Sequence, residues 1–285
     1  MKKYYEIAGI GICIDIPDDK MYEDERSLSE FSVDFCADTH EFTFKTVEKF
    51  DVPKGDLITS QPSFRVYREN NAQIRYIGSV QNSWENAYIK AEHIGKKHNI
   101  ELIENQFKDK IGVHTVLNCL MMEHLVAQNS GFIFHTSFIE YNNKAILFTA
   151  PSGTGKSTQA DLWHKYKNAE IINGDRCAIK VMNDKIFAEG IPFAGSSQYC
   201  KKRTLEIAAV VYLQQAKETT IKRLKGLEAF RKIWEGVSVN TWDKADMASV
   251  SDVASKLVRD VPVYLLSCTP DESAVLALLK EIENK

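Results

Sequence analysis

The stretch Phe148–Trp163, FTAPSGTGKSTQADLW, decides the fold of this chain. It matches the phosphate-binding pattern G-x-x-x-x-G-K-[ST] at every fixed position except the first, where Ala150 replaces glycine. In this pattern, consecutive main-chain N–H groups surround phosphate oxygens at the start of a helix, where the helix dipole adds positive potential. The first position requires only a tight exit from a strand, and a small residue such as Ala150 can provide it.

The residues of this loop each have an expected role. Gly153 and Gly155 stand where a Cβ would obstruct the loop or the approaching phosphate, and Lys156 brings a positive charge to the β- and γ-phosphates. The Ser157 hydroxyl is expected to bind Mg²⁺. A chance match in a glycine-containing loop is the alternative. The predicted nucleotide contacts are Ser152, Gly153, Thr154, Gly155, Lys156, Ser157, Thr158 and Arg176.

The flanking residues predict the strand, loop and helix that such a motif requires. Lys144–Thr149 contains a continuous apolar run typical of a buried strand, and a helix is expected from the loop to about Lys167. Phe132–Tyr141 is also rich in β-formers. The two strands are separated by Asn142-Asn143, and asparagine tolerates the positive φ of a two-residue turn. The sequence therefore predicts a hairpin directly before the loop.

The register of this hairpin gives a position for His135. A two-residue turn pairs Tyr141 with Lys144, and counting outward then pairs His135 with Ala150. The imidazole would lie beside the loop, near a γ-phosphate or an acceptor hydroxyl. A structural histidine in a strand is the alternative.

A second acidic element follows in AEIINGDRC. Ala169–Ile172 predicts a short buried strand, and Asp175 comes just after its end. Ligands gather at the carboxyl ends of strands in open α/β sheets, so Asp175 can meet Ser157 around Mg²⁺ if the two strands are neighbours. A simple turn at Gly174-Asp175 is the alternative, and Arg176 either contacts phosphate or faces solvent.

The whole chain limits the classes of protein. Its 285 residues carry 36 Lys and Arg against 39 Asp and Glu, a net charge of −3, which argues against a nucleic-acid partner. The six scattered cysteines form no zinc pattern and are typical of reduced thiols in a cytoplasmic protein. No run approaches the roughly 20 apolar residues of a membrane span. Neither L-S-G-G-Q nor N-K-x-D occurs, which disfavours ABC-type ATPases and guanine-specific switches.

Two domains are predicted. Residues 1–112 are mostly β and are interpreted as a binding or scaffold domain, whose histidines at 40, 93 and 98 are isolated in the sequence. Residues 113–285 form an α/β nucleotide-binding domain. It begins with one buried helix from about Val113 to Asn129, because apolar residues recur there at helical spacing.

From about Gly131 to Ile179, and more weakly to Leu213, the chain resembles the HPr serine kinase/phosphorylase family, whose nucleotide fold is shared with PEP carboxykinases. HTSFIEYNNKAILFTAPSGTGKST resembles that family's histidine, hairpin and G-x-S-G-x-G-K-S loop, and IINGDRCAI resembles its strand ending in paired aspartates. The resemblance implies that Lys156 and Ser157 handle phosphate and Mg²⁺. It also implies that His135 and Asp175 lie near the transferred phosphoryl group.

Three departures from the family pattern concern the acceptor. Gly174 replaces the first paired aspartate, so the identity of the general base is in question; Asp175 is the first candidate and His135 the second. Thr158 replaces a glutamate, and the R-G-x-G-I segment is absent. Divergent relatives of this kind include kinases that modify precursor peptides of natural products, and HPr itself is not the expected substrate.

The sequence thus predicts a kinase that uses ATP and Mg²⁺ to phosphorylate a hydroxyl group on a peptide, protein or small molecule. Asp175, His135 and Lys156 are its candidate catalytic residues, and Ser157 and Asp175 its metal ligands. A nucleotide-binding regulator without transfer is the competing interpretation. Formation of a homo-oligomer is left open.

Overall fold

The computed structural model describes residues 2–17, 26–107, 111–195 and 199–283. Its contacts divide the chain into two compact units, Met1–Met121 and Met122–Lys285, whereas the sequence boundary was placed after residue 112. The described residues form seven α-helices and two large sheets, so the protein is of mixed α/β class. None of the helices in these ranges is both long and apolar enough to cross a bilayer.

The first unit is built on a nine-stranded sheet with the order β3-β1-β2-β4-β9-β8-β7-β6-β5. Alternation of buried and less buried residues along its strands gives the sheet an apolar face, as in the seven residues of the strand that begins at Ala72. Two 3₁₀ turns at Trp84–Asn86 and Glu104–Gln106 flank the last hairpin. The elements are β1 (Lys2–Ile7), β2 (Ile10–Asp15), α1 (Arg26–Ser29), β3 (Ser32–Val33), β4 (Thr39–Val47), β5 (Asp56–Ser60), β6 (Phe64–Glu69), β7 (Ala72–Gly78), β8 (Ala87–Ile94), β9 (Lys97–Ile103) and α2 (Val113–Cys119).

Three histidines that are isolated in the sequence meet on this sheet. His93 lies opposite His98 in the β8–β9 pair, and their Nδ1 atoms are 2.9 Å apart. Nε2 of His98 lies 3.0 Å from Nδ1 of His40 on β4. These contacts fit the interpretation of each residue as a surface or satisfied histidine. The cluster itself is not visible in the sequence, because strands distant in sequence become neighbours in the sheet.

The described residues of the second unit form a ten-stranded sheet and five helices. Its elements are α3 (Met122–Gln128), β10 (Gly131–His135), β11 (Ser137–Tyr141), β12 (Lys144–Thr149), α4 (Lys156–Lys167), β13 (Glu170–Asn173), β14 (Arg176–Met182), β15 (Lys185–Gly190), β16 (Thr204–Gln215), β17 (Thr220–Leu224), α5 (Gly226–Trp234), β18 (Val237–Ser238), α6 (Lys244–Asp260), β19 (Val263–Cys268) and α7 (Glu272–Glu283).

The twelve-residue strand β16 joins two parts of this sheet. Its first residues pair antiparallel with β15, and its later residues run parallel to β12 on one side and β19 on the other. Around the motif, the order is β13-β11-β12-β16, with β19 next to β16. The carboxyl ends of β12, β16 and β19 therefore point the same way and meet at one edge.

Two apolar cores hold this unit together. On one side of β12, Phe148 packs with Trp163 of α4 and with Val275 and Leu278 of α7. On the other side, Leu147 packs with Phe132 and Phe134 and with residues of α5 and α6. Because β12 is buried on both faces, its continuous apolar run replaces the alternation of a half-exposed strand.

The hairpin prediction is correct at its turn and wrong at its far end. Asn142 and Asn143 have φ of 50° and 58°, and Tyr141 pairs with Lys144 as predicted. The pairing stops at Ser137, and His135 pairs with Arg176 on β14 instead of with Ala150. The chain changes partners at Thr136, whose N–H donates to the Asp175 carbonyl, 2.9 Å away.

The prediction of one helix over 113–129 is also wrong. The segment forms α2 and α3, and between them Met121 adopts a φ of 51°, which no right-handed helix contains. Met121 and Met122 are nevertheless buried, as expected of core residues. The apolar residues keep their helical spacing on both sides of Met121, so the periodicity alone does not show that the helix is interrupted there.

Candidate functional site

The loop between β12 and α4 has the backbone that its two glycines permit. Gly153 has a φ of 77° and Gly155, the residue that caps α4, a φ of 115°. A Cβ built on Gly153 would meet no other atom within 4 Å, and one on Gly155 would meet only Thr158 Cβ at 4.0 Å. The glycines are therefore required by backbone conformation rather than by crowding within the protein. The predicted strand, loop and helix context is confirmed.

Lys156 lies buried behind this loop, at the first position of α4. Its ammonium donates to the main-chain oxygen of Ala150, 3.0 Å away, and reaches that of Pro151 at 3.5 Å. Burial lowers the pKa of Lys156, and the charge of Asp175 opposes this change. A buried ammonium held only by neutral carbonyls within the described residues is suited to pair with an anion.

Asp175 is positioned by a side-chain turn at the end of β13. The fully buried Asn173 accepts from the main-chain N–H groups of Asp175 and Arg176, at 2.9 and 3.0 Å. Its own amide donates to the Ile191 carbonyl at 2.8 Å, which fixes the turn against the next hairpin. Asp175 thus stands in a turn, but the turn is anchored on both sides and its carboxyl group is oriented.

The Asp175 carboxylate lies between two cationic or protonatable side chains. Its Oδ1 is 3.2 Å from His135 Nε2, and its Oδ2 is 3.4 Å from Arg176 Nε. Arg176 in turn approaches Glu123 at the start of α3, at 3.9 Å. The hydrogen bond from His135 lowers the pKa of Asp175 most strongly; burial opposes it, and the charges of Arg176, His135 and Lys156 lower it further. Asp175 is therefore a carboxylate at neutral pH.

The structure brings Asp175, His135, Arg176 and Lys156 into one region, but through strand pairings that differ from the predicted ones. The strands β12 and β13 are not neighbours, because β11 lies between them. His135 reaches the region because β10 pairs with β14, and Thr149 donates to its main-chain oxygen at 3.0 Å. The remaining predicted nucleotide contacts lie on the loop or the first turn of α4: Ser152, Ser157 and Thr158 are exposed, and Thr154 is half-buried.

Two residues of this region, Asn173 and Glu123, are not predicted from the sequence. Asn173 is the first, and its signal was the N-G-D order, because asparagine side chains commonly bond to main-chain groups two residues on. Glu123 carries no local signal, since its contact with Arg176 is tertiary. Gly195 belongs to a segment that the sequence predicts as a loop over the phosphates or the acceptor, and it packs so closely on Asp175 that a Cβ there would lie 2.8 Å from Asp175 Cβ. Ser196 and Ser197 of that predicted loop lie outside the described residues.

These residues fit a polyphosphate and a divalent cation. The space in front of Gly153 is open, Lys156 supplies a buried positive charge, and the Ser157 hydroxyl is exposed at the start of a helix. The carboxyl group of Asp175 has a lowered pKa, and the positive charge of Lys156 contributes to that decrease. Hydroxyl and carboxylate oxygens are the donors that Mg²⁺ prefers.

Comparison with known proteins gives a family and weak likeness to solved structures. The family model described as SynChlorMet cassette protein ScmC matches residues 99–272, more than half of the chain. The structure of the Hpr(Ser) kinase/phosphatase from Coxiella burnetii is similar at 11% identity and a TM-score of 0.33, over 53% of this chain and 88% of that chain. No curated protein matches the sequence.

Proposed function

The chain belongs to the SynChlorMet cassette protein ScmC family, and we propose that it is a kinase that transfers the γ-phosphoryl group of ATP to a hydroxyl group. The acceptor would be a serine-type hydroxyl on a peptide, protein or small molecule. One observation carries the proposal: a loop of nucleotide-binding geometry lies in the same region as an ionised carboxylate that is hydrogen-bonded to a histidine. A protein that only binds nucleotide could use the carboxylate to hold Mg²⁺, but it would not need the histidine beside it.

The loop and the first turn of α4 would bind the phosphates. Lys156 would exchange its contact with the Ala150 carbonyl for one with the β- and γ-phosphates. Ser157 and Asp175 would hold Mg²⁺, directly or through water, and the cation would neutralise charge on the phosphates. Arg176 would contribute a further positive charge on the Asp175 side.

In the transfer, the acceptor oxygen would form a bond to the γ-phosphorus while the bond from that phosphorus to the β–γ bridging oxygen breaks. ADP leaves with the electron pair of the broken bond, and the acceptor hydroxyl gives up its proton. Catalysis of this kind depends mainly on positioning and charge neutralisation. The residues of the site therefore need to orient the acceptor and receive one proton.

His135 and Asp175 divide these tasks in our proposal. A carboxylate accepts hydrogen bonds only, so His135 would carry its hydrogen on Nε2 and leave the Nδ1 lone pair available. The depressed pKa of Asp175 makes it a weak base, and both of its oxygens already face other side chains, Oδ1 that of His135 and Oδ2 that of Arg176. We therefore assign the proton to His135 Nδ1 and the orientation of His135 to Asp175, with direct deprotonation by Asp175 as the second choice.

The test compares nucleotide binding and ATP consumption in three variants. Lys156→Ala removes the buried ammonium and is expected to weaken ATP binding at least about tenfold. Asp175→Asn is expected to retain ATP binding and lower turnover about 100-fold or more. Lys165→Ala, an exposed lysine of the same helix, is the matched control and should change neither. Turnover is measured as ADP release with a panel of hydroxyl acceptors: serine peptides, free serine and small alcohols.

Two outcomes would contradict the kinase. If the protein binds ATP but shows no turnover with every acceptor tested, a nucleotide-binding regulator is favoured. The glycine at position 174 also favours that interpretation. Unchanged ATP affinity in Lys156→Ala would show that this loop is not the nucleotide-binding site.

A further inference from the structure

A cavity on the far side of the loop is not used by the chemistry proposed above. It has a volume of about 450 Å³ and is lined by Pro151–Thr154 of the loop, Tyr212–Gln215 at the end of β16, and Lys232 of α5. This volume is within the roughly 300–1,000 Å³ of small-molecule sites. All of its lining residues belong to the second unit.

The sheet order puts this cavity and the Asp175 region on opposite sides of the loop. β11 and β13 flank β12 on one side, and Asp175 follows β13. β16 flanks β12 on the other side, and Thr149 lies opposite Tyr212 in their parallel pair. The residues that follow Tyr212 therefore lie alongside the residues that open the loop.

The electrostatics of the cavity favour an uncharged polar ligand. The Lys232 ammonium is 2.9 Å from Glu235 Oε1 and lies 4.3 Å from the centre of the Tyr212 ring. The Tyr212 hydroxyl donates to the other oxygen of Glu235. The hydrogen bond to Glu235 raises the pKa of Lys232, so this lysine stays protonated, but Glu235 neutralises its charge. The wall thus offers hydrogen bonds and an aromatic edge without the excess charge that phosphate binding needs.

Two exposed amides complete this wall. Gln214 and Gln215 lie at the end of β16, and Gln215 donates to the Thr154 carbonyl at 3.5 Å, which connects the wall to the loop. A carboxamide presents a donor and an acceptor together, as the edge of a nucleobase does.

We propose that this cavity binds the nucleoside, the ribose and base, of the nucleotide whose phosphates lie on the loop. The inference rests on the proposed function: if the γ-phosphoryl group lies at Asp175 and His135, the α-phosphate and nucleoside extend to the opposite side of the loop. Gln214 and Lys232 are the residues that hydrogen-bond the nucleoside.

The test compares ATP with inorganic tripolyphosphate, which has the phosphates without the nucleoside. Dissociation constants are measured by calorimetry with Mg²⁺ present. Gln214→Ala and Lys232→Met are each expected to raise the Kd of ATP about 3- to 10-fold, the loss of one hydrogen bond, and to change that of tripolyphosphate less than twofold. Lys222→Met is the control, because Lys222 pairs with Glu228 at 3.0 Å on an exposed surface outside this cavity; it should change neither constant.

The outcomes separate this inference from the proposed function. If ATP affinity stays within twofold in both cavity variants while Lys156→Ala weakens both ligands, the loop binds phosphate and the nucleoside assignment is wrong. Equal weakening of ATP and tripolyphosphate by the cavity variants would also overturn it. A higher acceptor KM at unchanged ATP affinity would assign the cavity to the acceptor instead. If the wild-type protein binds neither ligand, the proposed function and this inference both fail.

Discussion

At the scale of single residues, the loop depends on two backbone conformations that side chains other than hydrogen disfavour. Gly153 and Gly155 both have φ in the left-handed region, and the space around them is open. An alanine at either position would therefore cost conformational free energy without a clash. Because that cost arises from the backbone conformation alone, a glycine of positive φ outside the loop can separate it from an effect on ligand binding.

A comparison of Gly153→Ala with Gly226→Ala separates the conformational cost from the effect on ATP binding. Gly226 has a φ of 54°, and a Cβ there would also meet no atom within 4 Å. Each substitution is expected to lower the free energy of unfolding by about 1–2 kcal/mol, measured by urea denaturation. Only Gly153→Ala should also weaken ATP binding, because only Gly153 lies on the loop. Equal ATP affinity in the two variants would show that the Gly153 conformation is irrelevant to binding.

At the scale of elements, helices α3 and α6 are joined by a buried carboxylate. Asp246, in the first turn of α6, has no exposed surface and accepts from His124 at 2.9 Å, Gln128 at 3.0 Å and Asn240 at 3.1 Å. Burial acts to raise the pKa of Asp246, but these hydrogen bonds outweigh it, and the pKa lies below its ordinary value. The same helix α3 carries Glu123 towards Arg176, so the junction also positions the edge of the candidate site.

Asp246→Ala is expected to lower the free energy of unfolding by about 3–5 kcal/mol at neutral pH, because it leaves buried donors without their acceptor. A carboxyl group of depressed pKa stabilises the fold above its unfolded pKa of about 3.9, and this stability is lost as the pH falls through the folded value. The difference between wild type and variant should therefore shrink below about pH 4. Urea denaturation from pH 7 to pH 2 measures it.

Asp252→Ala, an exposed position in the middle of α6, is the control and is expected to stay within about 0.5 kcal/mol of wild type. A pH-independent loss in Asp246→Ala would mean that packing, rather than the ionised carboxylate, joins the two helices.

At the scale of the whole molecule, a ligand that binds only the folded state adds to stability by mass action. ATP with Mg²⁺ at 100 times its Kd is expected to raise the free energy of unfolding by about 2.7 kcal/mol. Unfolding of the second unit can be measured by tryptophan fluorescence, because Trp163, Trp234 and Trp242 all belong to it. At the same ATP concentration, Lys156→Ala, whose Kd is expected to rise at least about tenfold, should show at most about half of this increase. An equal increase in that variant would indicate that ATP binds elsewhere.

The local elements around the motif were determined by the sequence. Asparagines at 142 and 143 set the turn, the apolar run of Lys144–Thr149 set a strand buried on both faces, and Gly155 with Lys156 set the helix start. These features depend on interactions within a few residues, such as φ preference, burial and capping, and a short window of sequence contains all of them.

The partners of these elements were decided only by the tertiary structure. His135 pairs with Arg176 rather than Ala150, β11 separates β12 from β13, and Met121 divides a helix whose periodicity is continuous. Each outcome depends on which distant strand or core the chain meets, as at Thr136, whose N–H bonds to the Asp175 carbonyl rather than within the hairpin. The conformational preferences of a short segment do not depend on which distant strands compete to pair with it. The sequence alone therefore identified the chemical groups of the site, and the packing of the sheet determined which of these groups lie together.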